Sequence, residues 1–411
     1  MSSFTFLHAA DLHLDSPLRG LDADAPAERI RDASRQALKN LVKLALDQQV
    51  AFVLIAGDLY DGDWKDWRTG HFLIEQLSRL KRAGIRVVAI SGNHDAEQVL
   101  TRQLPFPGDL LPSAKPATIC LPDWNVAIHG QSFATKAVTH NMALAYPARL
   151  DDHFNIGLLH TACGSEEHDN YAPCAPADLI AREYDYWALG HVHTRAILSQ
   201  DPWIVFPGNL QGRHVKEEGA KGAELVRVVD GKVAGTASEP LDVMRWLRLS
   251  VDLAGAADLP TVLNRVNVLL NAAVLEAEGR LLAVRVTLEG ACPAHAELTR
   301  DPTSMREPVR AAAMEVADRE MLWIEDVRLR TRPSLDLATL RAQPGAVGAL
   351  VAAIEGPVEL DADLADFVAD MLKRAVDLED GHPAHAIAKG ELPDELVRRA
   401  RALLLAELAG H

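Results

Sequence analysis

The chain has 411 residues, of which 48% are hydrophobic and 24% charged, and this composition is typical of a globular protein with two or three domains. Its formal net charge of −16 argues against a protein that binds nucleic acid over a general basic surface, although metal ions can supply positive charge at a local site. No apolar run approaches the roughly 18 residues of a membrane helix.

Two further features concern the environment of the protein. The N-terminal residues MSSFTFLHAADLH lack the basic and apolar regions of a signal peptide. Cys120, Cys163, Cys174 and Cys292 lack C-x-x-C spacing, which favours free thiols over disulfides. We therefore predict a cytoplasmic protein that makes no membrane contact.

Short apolar runs alternate with helical stretches in the first 240 residues. Helices are predicted over residues 27–48 and 66–82, and Gly84 ends the second of them. The alternation predicts a layered α/β domain over residues 1–240. The runs that read as buried strands are TFLHA (5–9), VAFVLIAG (50–57), IRVVAIS (85–91), NVAIHG (125–130), FNIGLLH (154–160) and DYWALGH (185–191).

The pattern changes after residue 240. A small α/β domain is predicted over residues 241–335, and an Ala/Leu-rich helical region over 336–411. The helical region contains amphipathic stretches at 361–377 and 396–408, and the first places Leu364, Phe367, Val368, Met371 and Leu372 on one face. In the small domain, the predicted strands are 246–253, 281–290 and 322–330, and the predicted helices are 258–278 and 307–319.

Polar side chains follow several of the predicted strands. In layered α/β sheets, ligands collect beyond the carboxyl ends of the strands, so these side chains are expected to converge. Carboxylate, imidazole and amide oxygen are ligands for manganese, iron or zinc. Each residue alone has an ordinary structural explanation, but their succession predicts a metal site. They are Asp11, His13, Asp58, Asn93, His94, His160, His191 and His193.

This order of motifs, D-x-H, G-D-x-x-D, G-N-H-D, a single later H and G-H-x-H, resembles the calcineurin-like metallophosphoesterases. The segments HAADLHLDSPLRGL (8–21), AGDLYDGDW (56–64) and FPGNLQGRHVKEEGAKG (206–222) resemble the SbcD and YhaO-type DNA repair exonucleases of that family. The resemblance covers about residues 1–240. It implies a four-layer αββα sandwich with a dinuclear metal site, to which the sequence pattern after residue 240 adds a smaller α/β capping domain and C-terminal helices.

The resemblance also implies which residues hold the metals. One ion would be bound by Asp11, His13, Asp58 and His193, and the other by Asp58, Asn93, His160 and His191, so that Asp58 bridges them. Two cations on a shared carboxylate, about 3.5–4 Å apart, can clamp one phosphate and activate a water. Mn²⁺ is the expected metal, with Fe²⁺ or Zn²⁺ as alternatives.

By the same resemblance, His94 faces the scissile phosphate and Asp61 orients it. A histidine suits this task because its pKa lies near working pH. Protein phosphatases continue the G-D-x-x-D motif with Arg-Gly, whereas this chain has Gly62-Asp63, which weakens the phosphatase interpretation. Asp95 is interpreted as a structural turn residue.

Two groups of residues are candidates for substrate contacts. Arg213, His214, Lys216 and Lys221 could contact a nucleic acid backbone. The alternative is a solvated loop that also contains Glu217 and Glu218. For Trp64 and Trp67 we weigh stacking on bases against packing.

We predict a metal-dependent DNA exonuclease. The alternatives are a small-molecule or cyclic-nucleotide phosphodiesterase, or a non-catalytic partner of an ATPase. The resemblance implies DNA as a partner and an SbcC/YhaN-like ABC-type ATPase docked on the C-terminal helices. That docking competes with simple packing of these helices on each other or on the second domain, and a homodimer is a further option.

Overall fold

The computed structural model describes residues 3–17, 32–61, 67–96, 104–164, 171–301, 305–334, 342, 346–358, 360–372, 383–394, 396–398, 400–401 and 404. Contacts divide the chain into two units, Met1–Leu249 with Leu270–Arg285 and Ala313–Asp326, and Ser250–Leu269 with Val286–Ala312 and Val327–His411. The predicted domain boundaries after residues 240 and 335 stay predictions. Some predicted features lie outside the described residues, namely positions 27–31, Gly62, Asp63, Trp64, 373–377 and most of 396–408.

The first unit contains two six-stranded sheets, each with a parallel centre. In the first sheet the strand order is β12-β11-β1-β2-β3-β4, and β1 to β4 run parallel while β11 is antiparallel to β1. The strands are β1 (Phe4–Ala9), β2 (Phe52–Ala56), β3 (Arg86–Ile90), β4 (Asp109–Leu110), β11 (Gly222–Val229) and β12 (Lys232–Pro240).

The second sheet has the order β5-β6-β7-β8-β10-β9, with β6, β7, β8 and β10 parallel and antiparallel edges. Its strands are β5 (Ala117–Leu121), β6 (Val126–Gly130), β7 (Phe154–His160), β8 (Tyr186–Gly190), β9 (Ala196–Gln200) and β10 (Trp203–Phe206).

Alternate side chains of the central strands enter different cores, which explains their continuous apolar sequences. On β2, Phe52 and Leu54 pack between the two sheets against residues such as Ile156 of β7. Val53 and Ile55 point the other way, into a core with the two long helices α1 (Ala33–Asp47) and α2 (Arg68–Arg82). The far face of the second sheet is covered by residues that include Tyr146 and Leu179. The predicted αββα layering is confirmed.

The remaining helices of the first sandwich are short. They are α3 (Asn93–Ala96), directly after β3, and α4 (Pro176–Ile180).

A third sheet has three strands in the order β13-β14-β15, namely β13 (Met244–Asp252), β14 (Leu281–Cys292) and β15 (Leu322–Pro333). The helices of this part of the sequence are α5 (Leu259–Glu276), α6 (His295–Thr299) and α7 (Arg306–Val316). They are followed by α8 (Ala346–Glu355), α9 (Ala362–Leu372) and α10 (Pro383–Ile387). Within the described ranges, no helix has both the length and the apolar composition needed to cross a membrane.

Candidate metal centre

The predicted ligands lie at the carboxyl ends of strands from both large sheets. In the first sheet, Asp11 and His13 follow β1, Asp58 follows β2 and Asn93 follows β3. In the second sheet, His160 is the last residue of β7, and His191 and His193 follow β8. Because parallel strands present their carboxyl ends at one edge of a sheet, the two sheets bring these side chains together between them.

The backbone at several of these residues is left-handed, which is uncommon for residues other than glycine. The φ angles are 52° at Asp11, 41° at His13, 49° at Asp58 and 97° at His191. Backbone hydrogen bonds hold two of them, from Asp11 N–H to Gly57 O at 3.1 Å and from His13 N–H to Asp58 O at 3.0 Å. Such conformations persist where the surrounding structure enforces them, and they concentrate at functional sites.

Glycines make room for the buried His160 ring. A Cβ atom on Gly57 would lie 2.5 Å from His160 Nδ1, and one on Gly92 would lie 2.2 Å from Asp58 Oδ1. Gly57 also has a φ of 92°, which disfavours any side chain there. The glycines of the G-D and G-N-H-D motifs therefore allow the strand ends to approach each other.

Asp58 lies between the two predicted sets of ligands. Its Oδ2 atom is 3.6 Å from His13 Nε2 and 3.6 Å from His160 Nε2. Its Oδ1 atom accepts a hydrogen bond from the backbone N–H of His94 at 3.0 Å, which fixes the carboxylate. One oxygen is thus directed toward both sets, as a bridging carboxylate requires.

Two of the imidazoles direct an unprotonated ring nitrogen toward the site. His160 Nδ1 donates to the carbonyl of Ala56 at 2.9 Å, so its Nε2 carries the lone pair and faces Asn93 Oδ1 at 2.9 Å. His193 Nδ1 lies 2.7 Å from the carboxylate of Glu217, which leaves its Nε2 to face His13 Nε2 at 3.1 Å. Two hydrogen-bond acceptors repel each other at these distances unless a cation lies between them. The pairs His160–Asn93 and His193–His13 therefore fit bound cations.

Asp11 and His191, the remaining predicted ligands, lie next to these residues. The backbone N–H of His191 donates to both oxygens of Asp11, at 3.1 and 3.0 Å. The ring of His191 lies 5.1 Å from that of His160, between ring centres. Three groups of these side chains are close enough to hold a metal ion: Asp11, His13 and His193; Asp11, Asp58 and His160; and His13, Asp58 and His94.

Burial sets the charge of these groups. It raises the pKa of Asp11, whose carboxylate is also close to the charge of Asp58, and it raises the pKa of Asp58. Burial lowers the pKa of His160 to about 4 and lowers the pKa of His13, so these imidazoles are neutral as metal ligands must be. Two buried carboxylates among neutral imidazoles fit divalent cations, whose charge would favour the ionised carboxylates.

His94 and Asp61 form a hydrogen-bonded pair beside this centre. His94 Nδ1 lies 3.0 Å from Asp61 Oδ1, and this bond raises the pKa of His94 above its usual range. Burial alone would raise the pKa of Asp61, but the hydrogen bonds from His94 and Ser16 and the charge of Arg213 outweigh it and lower the pKa to about 2. The contact thus favours the imidazolium form of His94 beside the carboxylate form of Asp61.

Asp95 has the structural environment of a turn residue. Its carboxylate accepts hydrogen bonds from the backbone N–H groups of Gly92, Leu59 and Tyr60 at 3.0, 3.0 and 3.1 Å. These bonds tie the loop after β3 to the loop after β2.

The Gly-rich segment provides a residue that the sequence analysis missed. Glu217, which the sequence analysis names only as part of an alternative solvated loop, is buried and accepts from His193 Nδ1, from Asn209 Nδ2 at 2.8 Å and from the Arg213 backbone N–H at 2.7 Å. Burial opposes its ionisation, but the hydrogen bond from His193 and the charge and backbone N–H of Arg213 lower the pKa of Glu217. A carboxylate behind a metal-binding imidazole fixes its tautomer and orientation.

The basic residues of this segment are placed differently from one another. Arg213 lies 3.5 Å from Asp61 and 3.4 Å from Glu217, so it connects the His94 pair with the His193 pair. His214 is half-buried 3.4 Å from Glu217, and Lys216 is exposed. Lys221 is only 7% exposed and donates to the carbonyl of His193 at 2.9 Å, so it holds the loop and does not face solvent.

Comparison with known proteins finds similarity to metallophosphoesterases in both halves of the chain. Residues 4–195 match the model of the calcineurin-like phosphoesterases, and residues 246–332 match the middle domain of metallophosphoesterase YhaO. An uncharacterized metallophosphoesterase YhaO of Bacillus subtilis is 35% identical over 302 residues, which cover 71% of this chain and 73% of the relative.

Two further relatives are nuclease or repair proteins by name. The DNA double-strand break repair protein Mre11 of Sulfurisphaera tokodaii is 25% identical over 55% of this chain and 60% of its own length. One of the subunits of the nuclease SbcCD from Rhodobacter capsulatus is 33% identical over 23% of this chain and 22% of its own length.

The contact between Glu217 and His193 leads to a prediction about metal affinity. Glu217→Gln should weaken binding of the ion held by His193 by about 10–100-fold, because an amide orients the imidazole less strongly than a carboxylate does. Calorimetric titration with Mn²⁺ measures the affinity. The matched control is Glu218→Gln, since the side chain of Glu218 pairs with Arg248 and not with the centre. Equal affinities for the two variants would contradict the role of Glu217.

Proposed function

The chain belongs to the calcineurin-like metallophosphoesterase family, with YhaO among its relatives, and from this premise we propose that it is a nuclease that hydrolyses phosphodiester bonds in DNA. Membership makes it a metal-dependent phosphoesterase. The proposal extends to two divalent ions, Mn²⁺ by expectation, on the ligand sets that share Asp58.

The observation that carries the proposal is the His94–Asp61 pair next to the Asp58 carboxylate. Hydrolysis of a DNA phosphodiester breaks the bond between phosphorus and a sugar oxygen. This oxygen is a poor leaving group unless it receives a proton. His94 meets this need, because Asp61 occupies its Nδ1 and leaves Nε2 free to face a substrate. The pair therefore supports hydrolysis of an alkyl phosphodiester such as DNA.

Bound divalent ions would neutralise the phosphate and lower the pKa of the attacking water. The protein's own residues do the rest. Asp58 and the imidazoles fix the geometry of the centre, and Asp61 keeps His94 protonated and oriented. Arg213 sits 3.5 Å from Asp61 and favours its ionised form. His94 then gives its proton to the leaving oxygen.

DNA is proposed as the substrate because the relatives named above include a DNA double-strand break repair protein and a nuclease component. Arg213, His214 and Lys216 line the segment beside the centre, and the exposed Lys216 is available for a phosphate contact. A cyclic-nucleotide or small-molecule phosphodiesterase is the alternative use of the same centre.

For a partner we propose an ABC-type ATPase that docks on helix α9. Among the described residues of this helix none is buried, and Leu364, Phe367 and Met371 are 49%, 62% and 57% exposed. These side chains belong to one face of the predicted stripe. An exposed apolar face on a helix fits a helical partner.

Metal dependence is tested on the bridging carboxylate. Asp58→Ala should lose both ions and reduce DNA hydrolysis to background, because each ligand set depends on this residue. The measurements are elemental analysis and digestion of end-labelled single- and double-stranded DNA with Mn²⁺, repeated with chelator.

Asp123→Ala, on an exposed turn, serves as the control and should retain metals and activity. Full activity of Asp58→Ala would contradict the proposal that both ions depend on this carboxylate. Hydrolysis of cyclic nucleotides without cleavage of DNA would instead favour the alternative substrate class.

The role of His94 is tested by the leaving group. His94→Ala should keep its metals but lose about 100-fold or more in the rate of DNA hydrolysis, whereas the loss on bis-p-nitrophenyl phosphate should be smaller because p-nitrophenolate leaves without a proton. Since His94 is also near His13 and Asp58, a fall in metal content would identify it as a ligand instead. His140→Ala, which changes an exposed histidine, is the control.

The same pair predicts a pH dependence. Because the hydrogen bond from Asp61 raises the pKa of His94, activity that needs the imidazolium is present at low pH and falls as the pH rises through this raised pKa. Asp61→Asn removes the charge, so the fall should move to lower pH. An unchanged pH profile of DNA hydrolysis in Asp61→Asn would exclude Asp61 from this role.

Docking is tested on the exposed face of α9. Phe367→Glu should abolish co-purification of a co-expressed ABC-type ATPase and leave hydrolysis of bis-p-nitrophenyl phosphate unchanged, because a charge cannot enter an apolar interface cheaply. Leu275→Glu is the matched control, since Leu275 is an exposed leucine on helix α5. Retention of the ATPase by Phe367→Glu would place its docking surface elsewhere.

A further inference from the structure

Two cysteines that the proposed reaction does not use lie beside the metal centre. Cys163 comes three residues after His160 and is buried, and Cys174 is partly exposed just before helix α4. The two thiols are hydrogen-bonded to each other, and Cys174 packs against the buried hydrophobic cluster that contains Cys163. By contrast, Cys120 is an exposed residue of the edge strand β5, and Cys292 is buried at the end of β14.

The two segments that carry these cysteines are held together by hydrogen bonds on both sides of the sulfurs. Ala162 N–H donates to Tyr171 O at 2.8 Å, and Gly164 N–H donates to Cys174 O at 3.1 Å. Thr161 Oγ1 donates to Ala172 O at 2.6 Å and lies 3.4 Å from Cys174 Sγ. Hydrogen bonds on both sides thus hold the two cysteine segments next to each other, as a disulfide between Cys163 and Cys174 requires.

The two thiols differ in reactivity. The hydrogen bond between the two thiols lowers the pKa of Cys174 and raises the pKa of Cys163. Cys174 is also the more exposed of the two. A small oxidant in solution thus meets the sulfur that is more readily deprotonated, and the second thiol lies behind it.

We propose that Cys163 and Cys174 form a reversible disulfide on exposure to hydrogen peroxide or an organic peroxide. The Cys174 thiolate attacks the peroxide oxygen, which gives a sulfenic acid and releases water or an alcohol. The Cys163 sulfur then displaces the hydroxyl group of this sulfenic acid as water, and the S–S bond forms. The two cysteines are oxidised, the peroxide is reduced, and a dithiol reverses the reaction by exchange.

The two cysteine segments lie next to residues of the metal centre. Cys163 follows the strand that ends in His160, and the ring of Tyr171 in the opposite segment contacts the ring of His191, with 4.5 Å between ring centres and a tilt of 33°. The disulfide would therefore join the two segments that carry a predicted ligand and the aromatic neighbour of another.

The test uses the metal-loaded, full-length protein. The double variant Cys120→Ser/Cys292→Ser retains only the proposed pair and is treated with hydrogen peroxide. It should lose two hydrogen atoms in mass, yield a peptide cross-linked between Cys163 and Cys174, and regain both thiols with dithiothreitol. Adding Cys163→Ser to the double variant should prevent the cross-link and leave Cys174 to oxidise further to the sulfinic acid.

Two results would overturn the proposal. One is a double variant that keeps both thiols reduced under peroxide while the same chain, unfolded in guanidinium, forms the disulfide. The other is direct conversion of Cys174 to the sulfinic acid with Cys163 present, because that would show that Cys163 does not reach the sulfenic acid in the folded protein.

Discussion

The site depends on the burial of two carboxylates at one point between two sheets. Asp11 and Asp58 are 0% and 1% exposed, and the side chains around them are mostly neutral imidazoles. Such a pair of like charges is unfavourable in a protein interior unless a cation or protons compensate it. The surroundings suit cations, because each carboxylate is fixed by a backbone N–H, and the partners of His160 Nδ1 and His193 Nδ1 leave the Nε2 atoms of these rings as acceptors that face the site.

The same constraint explains the irregular backbone around the centre. A regular strand continued past Ala9 or Ala56 would carry its polar side chains to alternate faces of the sheet. Left-handed turns at Asp11, His13 and Asp58 break that alternation and direct successive side chains toward one place. The energetic cost of these turns is offset by hydrogen bonds between the turn after β1 and the turn after β2.

The central strands, and the convergence of the polar residues that follow several of them, could be predicted from the sequence, because strands buried on both faces have continuous apolar runs and parallel strands present their carboxyl ends at one edge. The edge strands were not found. β9 and β12, for example, are partly exposed and have mixed sequences such as KVAGTASEP, in which no periodicity is visible. Hairpin β11–β12 joins β1 from the far end of the domain, and no local pattern indicates such a pairing.

The burial of Glu217 is a second feature that could not be predicted from the sequence. In the sequence it belongs to a run of charged residues, Lys216, Glu217 and Glu218, which is typical of a solvated loop. Its burial follows from the tertiary position of His193 and Asn209, which only the folded chain brings to it. A histidine that must bind a metal through one nitrogen needs an acceptor for the other, and this requirement was the available signal.

The order of the ligands along the chain also has a consequence for synthesis of the protein. The Asp11 carboxylate and the N–H of His191 that fixes it are 180 residues apart, as are His13 and His193. At a translation rate of roughly 5–20 residues per second, the early half of the centre leaves the ribosome on the order of 10–40 s before the late half. Strand β11 must follow before the first sheet can enclose β1. A nascent chain therefore has no complete metal site until almost the whole sandwich has been made, so metal capture belongs to the end of folding and cannot guide its beginning.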